Sequence, residues 1–141
     1  MTHKTIFSFV VLLVAAILTG CGGGGVQLRG TVTFEDGSPV TSGTVVFDSG
    51  TIVSRGDIQS DGTYRLSTER PGDGIPPGTY TVYLINTEVM EEVPTADGSF
   101  TDRTIQTVAP QFTSRAASDI TVTVDSSTRT FDFQVQRHQG R

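Results

Sequence analysis

After Lys4 the chain has no lysine, and it has no tryptophan anywhere. It has one cysteine, Cys21, and two histidines, His3 and His138. Each shortage closes a class of function. A single cysteine rules out a disulfide framework within the chain. A lone histidine near the C-terminus leaves Ser-His or Cys-His catalysis without a base, and it leaves zinc without a ligand cluster. Without lysine beyond residue 4, a sandwich locked by Lys–Asn isopeptide bonds cannot form. The four consecutive glycines at 22–25 precede a strand pattern and lack the lysine of a phosphate loop. No window of useful length shows helical periodicity.

What is present begins with a short cationic start, Met1 to Lys4, and an apolar run from Ile6 to Leu18. Thirteen residues of helix reach about 20 Å, short of the ~30 Å hydrocarbon core. The pattern is that of an export signal, against the alternative of a buried core helix. Leu18-Thr19-Gly20-Cys21 resembles the lipobox of bacterial lipoproteins. The resemblance implies cleavage between Gly20 and Cys21, a diacylglycerol thioether on Cys21 and further acylation, palmitate included, of the new amino group. Two or more acyl chains anchor stably where one is marginal. The competing reading is an ordinary signal peptide with a chance cysteine, but an unpaired thiol in an exported protein needs an explanation that lipidation supplies.

The expected organisation is a signal peptide over 1–20, a lipidated cysteine and glycine tether over 21–25, one domain over 26–136 and a frayed tail over 137–141. From Cys21 onward, nine arginines face fifteen acids, a formal charge of −6. That acidity argues against nucleic acid as a partner and against a basic membrane-surface patch, leaving the lipid to hold the protein at the bilayer.

From Val26 the apolar residues alternate. Val26, Leu28, Val32 and Phe34 fall on one side and Gln27, Arg29, Thr31 and Thr33 on the other. Strands are expected over 44–48, 52–58 with Gly56 as a weak point or bulge, 63–67 after an Asp61-Gly62 hairpin signal, 79–86, 104–108, 120–124 and 131–135. Residues 69–78 read as a Pro/Gly loop. Tyr80, Val82 and Leu84 share one face of the strongest strand, which is apolar on both faces and so belongs at the centre of its sheet. Residues 87–104 form a polar excursion without a readable structure. Seven or eight short strands in about 110 residues, rich in β-branched side chains, give an all-β fold: a single antiparallel β-sandwich of about seven strands.

Three segments together carry a family resemblance. They are Leu28-Arg29-Gly30-Thr31-Val32-Thr33-Phe34 with Asp36-Gly37-Ser38-Pro39-Val40 and Gly43-Thr44-Val45-Val46-Phe47; Asp61-Gly62-Thr63-Tyr64-Arg65-Leu66 with Pro77-Gly78-Thr79-Tyr80-Thr81-Val82; and Asp119 to Val124 with Phe131-Asp132-Phe133. They resemble the carboxypeptidase regulatory-like domain, a transthyretin-like (prealbumin-type) sandwich, in the form found in small lipoproteins of planctomycete bacteria. The resemblance implies a Greek-key type sandwich over roughly 26–136. It does not imply catalysis: the hydroxyisourate hydrolases of the wider transthyretin-like group use several histidines with arginine and serine in a pocket, and beyond the expected signal this sequence has only His138.

Few residues remain as site candidates. Asp57, Asp61 and Asp73 are oxygen donors near turns, but Gln59 stands where a calcium loop needs its middle ligand, so turn chemistry is the simpler account. Glu91-Glu92 reads as a solvated loop pair. Tyr83 and Ile85 mark either a binding face or packing against the second sheet or the long loop. The expected function is a non-catalytic, membrane-anchored envelope lipoprotein without cofactor or metal, with the periplasmic or surface side left open. It would contact an envelope protein or a polysaccharide. A carbohydrate or small-ligand binding domain is the alternative, and an enzyme of unrecognised type the remote one.

Overall fold

A computed structural model describes residues 24–140. The expected signal peptide over 1–20 and the expected lipidation at Cys21 fall on residues outside those described. Nine strands follow in order: β1 (Arg29–Phe34), β2 (Thr44–Asp48), β3 (Val53–Asp57), β4 (Thr63–Arg65), β5 (Gly78–Ile85), β6 (Glu88–Pro94), β7 (Phe100–Gln106), β8 (Thr121–Val124) and β9 (Phe133–Val135), with a short 3-10 turn at Pro110–Phe112. Among the described residues, no helix is long and apolar enough to cross a membrane.

Seven of these strands make a sandwich. One sheet has the order β4-β1-β9 and the other β3-β2-β5-β8. The period-two pattern sets which side chains point between them. Leu28, Val32 and Phe34 from the first sheet meet Val45, Phe47, Tyr80, Val82 and Leu84 from the second in one buried cluster. Phe47 stands at its centre, with ring centroids of Tyr64, Tyr80 and Phe131 at 6.3, 6.1 and 5.9 Å, within the range where tilted aromatic pairs add to simple burial. Tyr80 is 1% exposed, and its hydroxyl donates to the Pro76 carbonyl at 2.7 Å, so the burial leaves no polar atom stranded. β5 lies between β2 and β8, the central position expected of a strand apolar on both faces.

Three local expectations are corrected. Gly56 is no bulge, because the β2–β3 ladder runs unbroken from Thr44↔Asp57 to Asp48↔Val53. It is glycine because the Arg65 backbone carbonyl passes where a Cβ would stand. The Asp61-Gly62 turn forms, with Gly62 at φ 85°, yet it joins strands of different sheets. β3 and the chain after β4 share the Arg55↔Ser67 bridge and a hydrogen bond between the Ser54 and Thr68 hydroxyls at 2.7 Å. The last strand departs from the antiparallel rule, since β9 runs parallel to β1. β8 ends on the side where β1 begins, and the Asp125–Thr128 turn sends β9 up from that same side.

Two further segments differ from the sequence reading. The polar excursion is a hairpin: β6 and β7 pair over seven residues each, Glu88↔Gln106 to Pro94↔Phe100, as a separate two-stranded sheet. The short strand expected over 104–108 is the end of this ribbon. The tail is ordered further than expected. Arg137 bridges Val108, and the His138 amide donates to the Thr107 carbonyl at 2.9 Å.

Candidate functional site

Aspartate chemistry builds the loops first. Asp73 takes three backbone amides, those of Thr68, Glu69 and Arg70, at 2.7 to 2.9 Å. Asp61 binds the amide and hydroxyl of Thr63, and Asp125 the amides of Ser127 and Thr128. These bonds favour the charged carboxylate and hold Asp61, Asp73 and Asp125 below the ordinary aspartate range. Asp97 is lowered to about 2 by the hydroxyls of Thr95 and Ser99 and the Ser99 amide. A general acid needs the opposite shift, so these aspartates serve their own turns. No group of three or more His, Cys, Asp or Glu that could hold a metal occurs among the described residues. Asp57 accepts from the Thr44 hydroxyl at 3.0 Å. Glu91 and Glu92 sit in mid β6 opposite Arg103 and Asp102 and are exposed.

The tyrosines are mostly structural. Burial, with Asp132 nearby, pushes the Tyr64 phenol far up, and its hydroxyl donates to the Phe131 carbonyl at 2.5 Å. Tyr83 and Ile85 point away from the core, on the outer face of the four-stranded sheet, and do not pack against the second sheet. There Tyr83 donates to Asp48 at 3.5 Å, and Asp48 pairs with Arg115 at 3.5 Å.

Two features stand out on this frame. The described chain enters beside the loop that follows β4. The Gly25 amide donates to the Asp73 carbonyl, Val26 bridges Ile75, and the Gln27 side-chain amide reaches the Gly72 carbonyl at 2.7 Å. This marks the entry end. Strand register then places the arginines. Arg29 lies directly opposite Arg65 across β1–β4, and Arg55 opposite Ser67. The Arg129 carbonyl accepts the Arg29 amide, and Arg70 is in the entry loop itself. Arg55, Arg65 and Arg70 share a groove of about 490 Å3 with Asp57, Glu69 and Asn86. A neighbouring groove of about 470 Å3 shares Arg65 and adds Arg29. The ion pairs among the described residues are Arg115–Asp48 and Arg137–Asp36, so Arg29, Arg55, Arg65 and Arg70 have no carboxylate partner there. The two grooves mix these arginines with Asp57 and Glu69.

The ribbon leaves from the finish of β5, and the groove of Arg55, Arg65 and Arg70 reaches its base. β5 pairs at its start with Val124 and at its finish, Ile85, with Thr44, so the chain leaves it moving away from the entry end. Asn86 makes the exit at φ 54°, the one non-glycine residue with positive φ among the described residues, and lines the clefts on both sides of the ribbon's base. Thr107 donates its hydroxyl to the buried Thr87 carbonyl at 2.6 Å and closes that base. Beyond it the ribbon pairs only with itself. Met90 is 71% and Phe100 66% exposed, among Glu88, Glu91, Glu92, Asp97 and Asp102. Sequence reasoning missed it, because alternation there is masked by polar residues on both faces. Asp97-Gly98, with Gly98 at φ 84°, was its one signal.

No family model matches the chain, and no curated protein matches it. Among solved structures it is similar to BcpA, the major pilin subunit of Bacillus cereus, at 13% identity and a TM-score of 0.44, over 82% of this chain and 30% of the pilin. The D312A variant of that pilin aligns at a TM-score of 0.45 with the same identity and coverage. A 9R-lipoxygenase from Cyanothece aligns at 14% identity and a TM-score of 0.32, over 77% of this chain and 16% of the enzyme. The chain thus spans less than a third of the length of either protein. At such TM-scores neither likeness assigns an activity to it.

Proposed function

We propose that this chain is a non-catalytic envelope lipoprotein: a sandwich of the carboxypeptidase regulatory-like type, anchored through acyl chains on Cys21, that presents the β6–β7 ribbon to a protein partner. The ribbon carries this reading. A two-stranded ribbon alone is marginally stable in water, and large exposed apolar residues on such an element mark a contact surface. Met90 and Phe100 are the exposed large hydrophobics among the described residues, and both belong to it. The spent aspartates and the neutral, buried Tyr64 agree with a module that binds without turnover.

The anchor and the contact are tested separately. Metabolic labelling with an alkyne palmitate is expected to mark the wild-type chain and to leave Cys21→Ser unlabelled; equal labelling of the two would remove the anchor. For the contact, a photo-crosslinking amino acid is placed at Met90 or Phe100 and, as control, at Thr123 on the edge strand β8. A discrete adduct from the ribbon positions only is expected in intact cells. Adducts from Thr123 alone would move the contact to the sheet edge.

A further inference from the structure

The two faces of the ribbon differ. Directly opposite residues of paired strands share a face, and successive residues alternate. Glu88, Met90 and Glu92 therefore share one face with Phe100 and Asp102. That face carries both exposed large hydrophobics and three acids, without a basic residue. Glu92 stands directly opposite Asp102, a like-charge pair that disfavours the ribbon unless a cation lies against it. The other face sets Glu91 opposite Arg103, a pair of opposite charge.

A complementary surface exists on the same chain without being paired to this face. The groove at the ribbon's base holds Arg55, Arg65 and Arg70 with Asp57 and Glu69, and Pro71 and Ile85 add apolar lining. Asp57 already accepts the Thr44 hydroxyl. The adjoining groove adds Arg29, which stands directly opposite Arg65, a like-charge pair of the other sign. None of these arginines reaches a ribbon acid: the ion pairs among the described residues join Arg115 to Asp48 and Arg137 to Asp36.

We propose that the partner of the ribbon is a second copy of this chain, each ribbon laying its Met90–Phe100 face in the other's arginine groove. The proposal rests on the ribbon-contact reading above and names its partner. Four arginines with two acids then meet three acids without a base, and each surface relieves the like-charge pair of the other. Position sets the symmetry. Ribbon and groove adjoin at Ile85 and Asn86, so a two-fold axis beside that junction forms both contacts at once and closes the assembly at two chains.

Charge reversal tests this on the full chain in density-matched detergent, with mass read by sedimentation equilibrium. The wild type is expected to be mostly dimeric at about 100 µM and to dissociate in about 1 M salt. One variant carries Glu92→Arg and Asp102→Arg, which leaves a like-charge pair across the ribbon; the other carries Arg55→Glu and Arg65→Glu, both at exposed positions. Each by itself is expected to associate at least about tenfold more weakly. An equimolar mixture of the two is expected to recover the wild-type affinity, because both contacts are again between opposite charges. Should a reversed chain fail to fold, Met90→Ser at its exposed position is read in its place, with the same weakening expected. A monomeric wild type, undiminished association of the variants, or no recovery between folded variants overturns the proposal. A monomeric wild type whose ribbon positions still crosslink to a different protein in cells overturns self-pairing alone, whereas crosslinks from Thr123 alone remove the ribbon contact itself.

Discussion

Single residues set the stability of this fold where burial and bonding coincide. Tyr80 fills the core beside Phe47 and ends in a hydrogen bond to the Pro76 carbonyl. Truncation to alanine removes the ring and leaves a cavity, so Tyr80→Ala should cost about 3–5 kcal/mol in chemical denaturation. Tyr80→Phe keeps the ring and should cost about 1–2 kcal/mol, mostly the unpartnered carbonyl. A Tyr80→Ala loss under about 1 kcal/mol would contradict the inner face assigned to β5. The aspartates act through pH. Asp73, held by three amides, has a folded pKa below its unfolded one. Its contribution is complete above the unfolded value, near pH 4, and drains away as the pH falls through the lower folded value. Melting temperature should therefore drop between about pH 4 and pH 2. Asp73→Asn, which cannot accept the same amides with both atoms, should melt lower at pH 7 and show a shallower acid decline. An unchanged acid decline in that variant would assign the effect elsewhere.

At the scale of the element, the two kinds of β structure differ in what supports them. β2 and β5 are each paired on both edges and contribute inward side chains to the core. β6 and β7 are paired on one edge each and buried on neither face. Their amides can open without disturbing the sandwich. Hydrogen exchange should show ribbon amides protected by no more than about 1–2 kcal/mol, while Val45, Phe47 and Val82 exchange near the global unfolding limit. Protection of the ribbon equal to that of β5 would mean that it packs on something the isolated chain provides. The ribbon's small intrinsic support is consistent with an element that gains its order from a partner.

At the scale of the molecule, the two sheets bring distant segments together: Arg55, Arg65 and Arg70 line one groove with Thr44, Ile85 and Asn86 at the base of the ribbon. This follows from strand direction. β1 and β9 start at the entry end, β5 finishes away from it, and the register converts sequence position into height along the axis. The same directions explain the parallel β1–β9 pair, an exception to the antiparallel plan. They also show why glycine is required at Gly30 and Gly56, where the Phe131 and Arg65 carbonyls cross close to the Cα.

What the sequence determined by itself is what depends on near neighbours along the chain. Period-two alternation placed β1, β5, β8 and β9 and named inner-face residues Val32, Tyr80, Val82 and Leu84, because burial on one face of a pleat leaves that mark in consecutive residues. Asp-Gly and Pro-Gly pairs marked turns for the same local reason. The tertiary structure alone decided the ribbon, whose residues are solvated on both faces and carry no alternation to read. It alone decided the true role of Gly56, which depends on a strand nine residues away, and the meeting of Arg29 with Arg65, which depends on register between strands that composition averages over. Net charge is a sum over the whole chain, whereas a membrane or a partner meets only one side of it.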